Sequence, residues 1–421
     1  MTKKSIAIIG SGISGLSAAY QLDADFEVTV FEKSLKLGGH TDTHTFDIEQ
    51  TEWRVDSGFI IFCPQYYPNF SAMLEALKVE KQPTNMSFSA HNPRNDLVYN
   101  ASSLNALFCQ RRNLLRSRFW RMLFDIVRFY HTAANVLKST DCHLSVADYL
   151  KQHRYGPGFI EDHLMPMISA LWSATPQRVN EFPIRHLVDF FMRHGLMKLI
   201  KRPQWYVVKN GSASYVEALQ DKLSCTWKLN TRVNTVFRKD DQVSVIVDDQ
   251  TFSFDAVVIA THADQALKLL GDASDDEQRI LGAIPFERNE VIVHTDASLM
   301  PKNRLAWASW NTEVPDNFDD SSKNVCTANY WMNLLQGINT QTPIFTSLNS
   351  LHKIDQQKIL AKRIYHHPVF TADSVAAQAD KSKLDGQRKT YYVGAYWGWG
   401  FHEDGARSAA QVCQQLRADL S

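Results

Sequence analysis

The chain has 421 residues, of which 44% are apolar and 21% charged, with a formal net charge of +0. That is the composition of an ordinary globular enzyme, and the balance of charge excludes a generic electrostatic grip on nucleic acid. The length exceeds one compact core, so two lobes are expected.

The first segment, "SIAIIG", reads as a buried strand. Gly10, Gly12 and Gly15 follow it. The next run, "ISGLSAAYQL", reads as a helix in which Ala18 and Ala19 are small enough to pack closely on a sheet. A second strand, "EVTVFE", ends at Glu32, twenty residues beyond Gly12. This is the spacing of a βαβ dinucleotide unit. Gly10 makes the turn, Gly12 lets the backbone approach a pyrophosphate, and Gly15 lets the helix lie close to the strand. Free N–H groups of the helix N-terminus, with Ser14 in its first turn, face phosphate oxygens. Glu32 accepts from an adenosine ribose, and its charge argues against a 2′-phosphate and so against NADP. Lys33, beside that carboxylate, is counted with the site.

The next residues, "FEKSLKLGGHTDTHTF", resemble the start of the flavin-containing amine oxidoreductase superfamily. That group includes monoamine and polyamine oxidases, protoporphyrinogen oxidase and the phytoene desaturases. Its pattern is an acidic residue ending strand two, a basic residue, a Gly-Gly pair, an arginine, then Ser or Thr. Here these are Glu32, Lys36, Gly38 and Gly39, His40, and Thr41 or Thr43. The resemblance implies FAD, with the glycine pair close to the flavin side. His40 departs from the pattern, because a permanent positive charge is lost. FAD held without a covalent bond is expected. In "VDSGFIIF", Asp56, Gly58 and Phe59 resemble the segment that runs under the flavin ring.

Two later segments extend the resemblance. After "WYVVKNG", Gly211 opens an amphipathic helix carrying Tyr215, Val216, Leu219 and Leu223. "TRVNTVFR" is a strand in which Val233 matches the position whose backbone meets the adenine; "AVVIAT" re-enters the sheet and ends at Thr261. In the final "TYYVGAYWGWGFHEDGARSAAQVCQQL", Gly394 ends a strand. Gly405, Ala406 and Arg407 then open a helix whose positive end points at the pyrimidine side of the flavin. Ala395 stands where an acidic residue is expected, and Ala409 or Ala410 where a glycine is. "ATHADQAL", "YWMNLLQ", "HHPVF" and "GAYWGWGFHEDGARSA" resemble a bacterial subgroup of FAD/NAD-binding amine-oxidase-like proteins linked with cyclopropane fatty acid synthase. The link implies a lipid-related substrate.

The fold class expected is α/β: a doubly wound Rossmann-like FAD-binding domain built from three chain segments, with a second α+β substrate domain. The segments are 1–75, 205–265 and 385–421; the substrate domain takes 76–204 and 266–384. Its helical part contains "RRNLLRSRFWRMLFDIVRFYH", with Leu115, Phe119, Met122 or Leu123, Ile126 and Tyr130 on one face. Six Arg and one Asp lie between 111 and 131. This is either a packed helix with a solvated basic face or a peripheral membrane or acyl-carrier docking face. In "MPMISALWSATP", Met165, Met167, Leu171 and Trp172 either line an apolar pocket or fill the core. Two strands are expected to carry Trp307, Trp310, Tyr330 and Trp331.

His402 lies in the loop expected beside the flavin. It is either an acid–base group titrating near neutrality or a structural histidine held by Glu403 or Asp404. Trp397 or Tyr396 is the candidate aromatic of the site, and His402 with Trp397 is the catalytic pair expected. The flavin-proximal lysine of many amine oxidases has no assignable match; Lys302 is only a guess. The pairs His40 with His44, and His366 with His367, have no helical i, i+4 carboxylate partners, so no metal site is expected. No nucleophile elbow occurs, which disfavours hydrolysis. The six cysteines, Cys63, Cys109, Cys142, Cys225, Cys326 and Cys413, form no CxxC pair, which makes a reducing cytoplasm the simplest setting. The chain enters its first strand at once, leaving no room for a signal peptide. The function expected is FAD-dependent hydride removal from, or isomerisation within, an apolar fatty acyl or lipid substrate. The alternatives are an amine oxidase releasing peroxide and a flavin-binding accessory or redox-sensing protein.

Overall fold

The computed structural model describes residues 3–138, 144–172, 176–239, 242–315 and 326–421. Cys142 and residues 173–175, at the end of the methionine-rich run, lie outside them. A five-stranded sheet runs in the order Thr226–Lys228, Glu27–Phe31, Ser5–Ile9, Ala256–Ile259, Thr390–Tyr392. Every neighbouring pair is parallel. Strands of such a sheet are covered on both faces and read as continuous apolar runs, which is why "SIAII" and "AVVI" show no alternation. Ile6 and Ile8 point to one face, against Ala18, Ala19 and Leu22 of the first helix (Ile13–Leu22) and Val412, Cys413 and Leu416 of the last (His402–Leu420). Ala7 and Ile9 point to the other, against Val236, Val245 and Phe254 of the antiparallel meander Thr235–Lys239, Gln242–Val247, Gln250–Phe254. Each aliphatic side chain so buried contributes about 1.5–3 kcal/mol. A Cβ on Gly15 would fall 1.9 Å from the Gly10 carbonyl oxygen, so only glycine lets the first helix rest against the turn that precedes it.

The second sheet has seven strands, in the order Ile359–Pro368, Phe286–His294, Phe345–Leu348, Thr327–Trp331, Trp310–Glu313, Phe88–Asn92, Leu97–Asn100. All its pairs are antiparallel except Trp310–Glu313 with Phe88–Asn92. Trp310 pairs with Tyr330, as the two expected strands require. Trp307 stands outside the strands, after the short turn Arg304–Ala306, and packs on Trp331 and Phe345. A small sheet of Ile61–Phe62, Trp205–Val208 and Lys81–Thr84 joins the segments where the chain passes between the two sheets.

Helices between residues 104 and 193 enclose an aromatic core that includes Phe119, Met122, Phe129, Phe159, Trp172 and Phe190. Met165 and Trp172 are thus core residues, with Met167 and Leu171 partly buried beside them. Leu115 does not join this face: it is 91% exposed. It belongs to a 3-10 turn, Arg111–Leu115, that precedes the helix Ser117–Thr132 and breaks its helical phase. Among the described residues no helix is long and apolar enough to cross a membrane.

Candidate functional site

The turn between the first strand and first helix leaves a gap. Gly12 caps the helix without a side-chain hydrogen bond, and no acidic residue occupies the first turn. A Cβ placed on Gly12 would meet nothing within 4 Å. Exposed N–H groups at an open helix N-terminus form an anion site. Glu32 sits beneath: its carboxylate accepts from Ser11 N (3.0 Å), Ser11 Oγ (2.6 Å) and Ser34 N (2.9 Å). The residue therefore holds the turn as well as presenting a carboxylate beside it. Lys33 is exposed at the same end. Ser14 Oγ lies against Gly405 of the last helix, where a Cβ would come within 2.7 Å of it.

The second glycine pair closes on the first. Gly38 N donates to Ser11 O at 3.1 Å, and a Cβ on Gly39 would lie 3.1 Å from the Gly12 Cα. The His40 carbonyl then accepts from Phe59 N at 2.9 Å, so His40 and the Gly58–Phe59 segment lie side by side. Thr231 N donates to Glu32 O (2.8 Å), which brings the return segment with Val233 to this edge. Thr261 packs against Gly10.

His402 joins this group. Its Nε2 lies 3.1 Å from Thr41 Oγ1 and 3.3 Å from the Tyr215 hydroxyl, and its ring stacks on Phe59 at 3.5 Å. Burial, then the nearby His40, pushes its pKa well below the usual histidine range. It is therefore a neutral imidazole at pH 7, not a group titrating near neutrality. Glu403 and Asp404 do not hold it. Glu403 accepts from Asn69 N (3.2 Å) and Phe70 N (3.1 Å), and Asp404 from Trp399 N and Phe401 N, both at 3.0 Å.

The last helix starts at His402, one turn before the expected Gly405. Its real signal is the acidic pair Glu403 and Asp404 in the first turn, favourable beside the positive end of the helix dipole. Gly405 and Ala406 are buried inside the helix, where Gly405 packs on Ile13 and Ser14. Arg407 is paired with Asp404. Trp397 is not brought to His402. It packs with the meander side of the parallel sheet, beneath Lys381. Trp399, two residues on, is the aromatic that enters the helical lobe, and nothing in a loop of alternating Trp and Gly marks which of the two will do so.

Asp56 is fully buried and binds three parts of the chain: Thr43 Oγ1 (2.6 Å), Ser212 N (2.9 Å) and Oγ (2.8 Å), and Gln336 Nε2 (2.9 Å). Burial raises its pKa to about 6 against these hydrogen bonds. Its place in the sequence motif was legible, its partners were not.

The residues fit FAD. The open N-terminus at Gly12 suits a diphosphate, the Glu32 carboxylate lies beside it, and His40 Nε2 is a buried polar atom without a partner. The profile of the flavin containing amine oxidoreductase family matches residues 13–343. The chain belongs to this family. FAD is its cofactor. The chain is 23% identical over 301 residues to the coproporphyrinogen III oxidase of Staphylococcus aureus, covering 61% of this chain and 60% of that protein; it thus spans about three fifths of that relative. It resembles the CLA-producing fatty acid isomerase from P. acnes (16% identity, 98% of each chain, TM-score 0.70). It also resembles cyclohexylamine oxidase from Brevibacterium oxydans (14% identity, 99% of each chain, TM-score 0.69). At these identities the likeness shows the fold.

Proposed function

We propose that this chain is an FAD-dependent dehydrogenase, desaturase or isomerase acting on an apolar substrate, a fatty acyl or other lipid chain. The observation that carries the reading is an aromatic wall where the loop before the last helix meets the helical lobe. Trp172 Nε1 donates to Trp399 O at 3.2 Å, Phe190 stacks on Phe401 at 4.9 Å, and His194 lies 4.0 Å from Phe190. Burial holds His186 and His194 at about 4, so both are neutral. The cations at this wall, Arg193 and Arg407, are already paired with Asp189 and Asp404. Such packing is apolar and excludes water, which suits a hydrocarbon. Lys302, the guess for an amine-oxidase lysine, is exposed. FAD supplies a hydride acceptor when bound. The likeness in fold to the CLA-producing fatty acid isomerase supports this reading, as does the subgroup resemblance.

The helical lobe also supports contact with a lipid surface. Leu115 is 91% exposed, Phe124 60% and Trp120 50%. Arg111 and Arg116 beside them hydrogen-bond the backbone oxygens of Phe108 and Asp96. An exposed aromatic ridge with a basic flank suits an anionic membrane face.

The substrate reading is tested by binding. A long-chain unsaturated fatty acid added to the holoprotein should perturb the visible flavin spectrum, and Trp399→Ala should weaken the effect about tenfold, the contribution of one large aromatic contact. A spectrum perturbed by hexylamine and untouched by the fatty acid would reject it.

A further inference from the structure

Where the family pattern has an arginine, His40 belongs to a cluster of four histidines drawn from three parts of the chain. His262 follows the parallel strand Ala256–Ile259, and His366 and His367 lie on the edge strand Ile359–Pro368. Ring centroids are 5.6 Å apart for His40 and His367, 5.9 Å for His40 and His262, and 6.1 Å for His262 and His366. Tyr365 backs His40 at 4.8 Å, and Phe286 stacks on His262 at 4.4 Å. His367 Nδ1 accepts from the Asn289 side-chain amide at 3.0 Å, which leaves its Nε2–H to donate elsewhere. His40 Nε2 is buried with no partner. The cluster borders the open helix N-terminus, because His40 follows the glycine that touches Gly12 and His262 follows the threonine that touches Gly10.

The other charged groups facing the cluster leave it without a counter-anion of its own. Asp42 is taken by Lys36 and Arg363, each at 2.6 Å, and lies beside His44. Lys33 faces His262, and His402 faces His40. Burial and the neighbouring imidazoles hold His40 at about 4 and His262 and His367 at about 3. His40, His262 and His367, neutral beside an anion site with His366 close by, are poised to gain a proton when a dianion arrives.

We propose that His40, His262, His366 and His367 form the diphosphate-binding set for FAD in place of a fixed arginine, and that binding FAD takes up a proton. The protein then holds FAD more tightly at pH 6 than at pH 8, since proton uptake makes affinity rise as pH falls. A guanidinium takes up none and gives a flat profile. The inference rests on FAD as cofactor and not on the substrate proposed above, so the two fail separately.

The test titrates apoprotein with FAD, followed by flavin fluorescence, at pH 6, 7 and 8. In the wild type Kd should rise about fivefold or more across this range, for linked uptake of part of one proton per site. In His40→Arg it should change less than about twofold. Calorimetry of the wild type in two buffers of different ionisation heat reads proton uptake directly and stands even if the variant does not fold. A flat wild-type profile, no proton uptake, or an unchanged slope in folded His40→Arg would each overturn the proposal.

Discussion

The carboxylate of Asp56 accepts the backbone N–H of Ser212 at 2.9 Å and its hydroxyl at 2.8 Å, 156 residues further along the chain. With Gln336 also donating, this one buried side chain ties three distant segments. Asp56→Asn points an amide donor at groups that can only donate, Ser212 N–H and the Gln336 amide. The loss should be about 1–3 kcal/mol in denaturant unfolding. The pH dependence has a definite sign. An acid raised to about 6 in the folded state binds more protons there than when unfolded, so its contribution falls as pH rises from about 4 to 6. Asp56→Asn should remove that part of the slope, and identical slopes in the two proteins would contradict it.

Buried histidines act in the opposite direction. His163 is held at about 3, and His194 and His294 at about 4, each mainly by burial. Unfolding below pH 6.5 lets them take up protons, so stability is lost as pH falls towards 4, by about 1.4 kcal/mol per unit for each imidazole. His294 shows why the neutral form is fixed: its Nδ1 accepts from Asp296 N, leaving Nε2 to donate to Ser347 Oγ at 2.7 Å. Urea midpoints at pH 7 and pH 5 should differ strongly in the wild type and less in His294→Gln.

Glu32→Ala should weaken FAD binding by about ten- to a hundredfold, because a charged hydrogen-bonding group contributes about 1.5–3 kcal/mol. Glu49→Ala is the comparison: that carboxylate lies at an exposed turn bound to Thr342. Fluorescence titration of the two apoproteins with FAD decides, and equal affinities would release Glu32 from the ribose.

The exposed ridge should carry the protein to anionic vesicles. Each arginine at such a surface contributes about 1 kcal/mol, and salt weakens it. The double variant Trp120→Ser, Phe124→Ser should sediment less with anionic vesicles while its unfolding midpoint is unchanged. Equal sedimentation of wild type with neutral and anionic vesicles would leave the ridge as a solvated helix face.

The strand, glycine turn and first helix were legible because local periodicity and glycine spacing encode them. What escaped the sequence depends on phase or on distance. Leu115 leaves the apolar face because a 3-10 turn shifts the phase before the helix begins. The last helix starts at His402 rather than at Gly405 because the acidic pair Glu403 and Asp404 fills its first turn. Trp399, not Trp397 or Tyr396, enters the helical lobe, and an irregular loop has no period that marks it. The partners of Asp56 and the companions of His40 come from sheet edges far along the chain, and no local pattern predicts which edges will meet.

The most direct measurement of the central claim is anaerobic mixing of the holoprotein with unsaturated and modified fatty acyl lipids, mono- and polyamines, and amino acids. Flavin absorbance and mass spectrometry of the products are followed together. The account predicts a changed lipid product, with flavin bleaching for a dehydrogenase and without net bleaching for an isomerase. Rapid bleaching by an amine, with every lipid recovered unchanged, would contradict it.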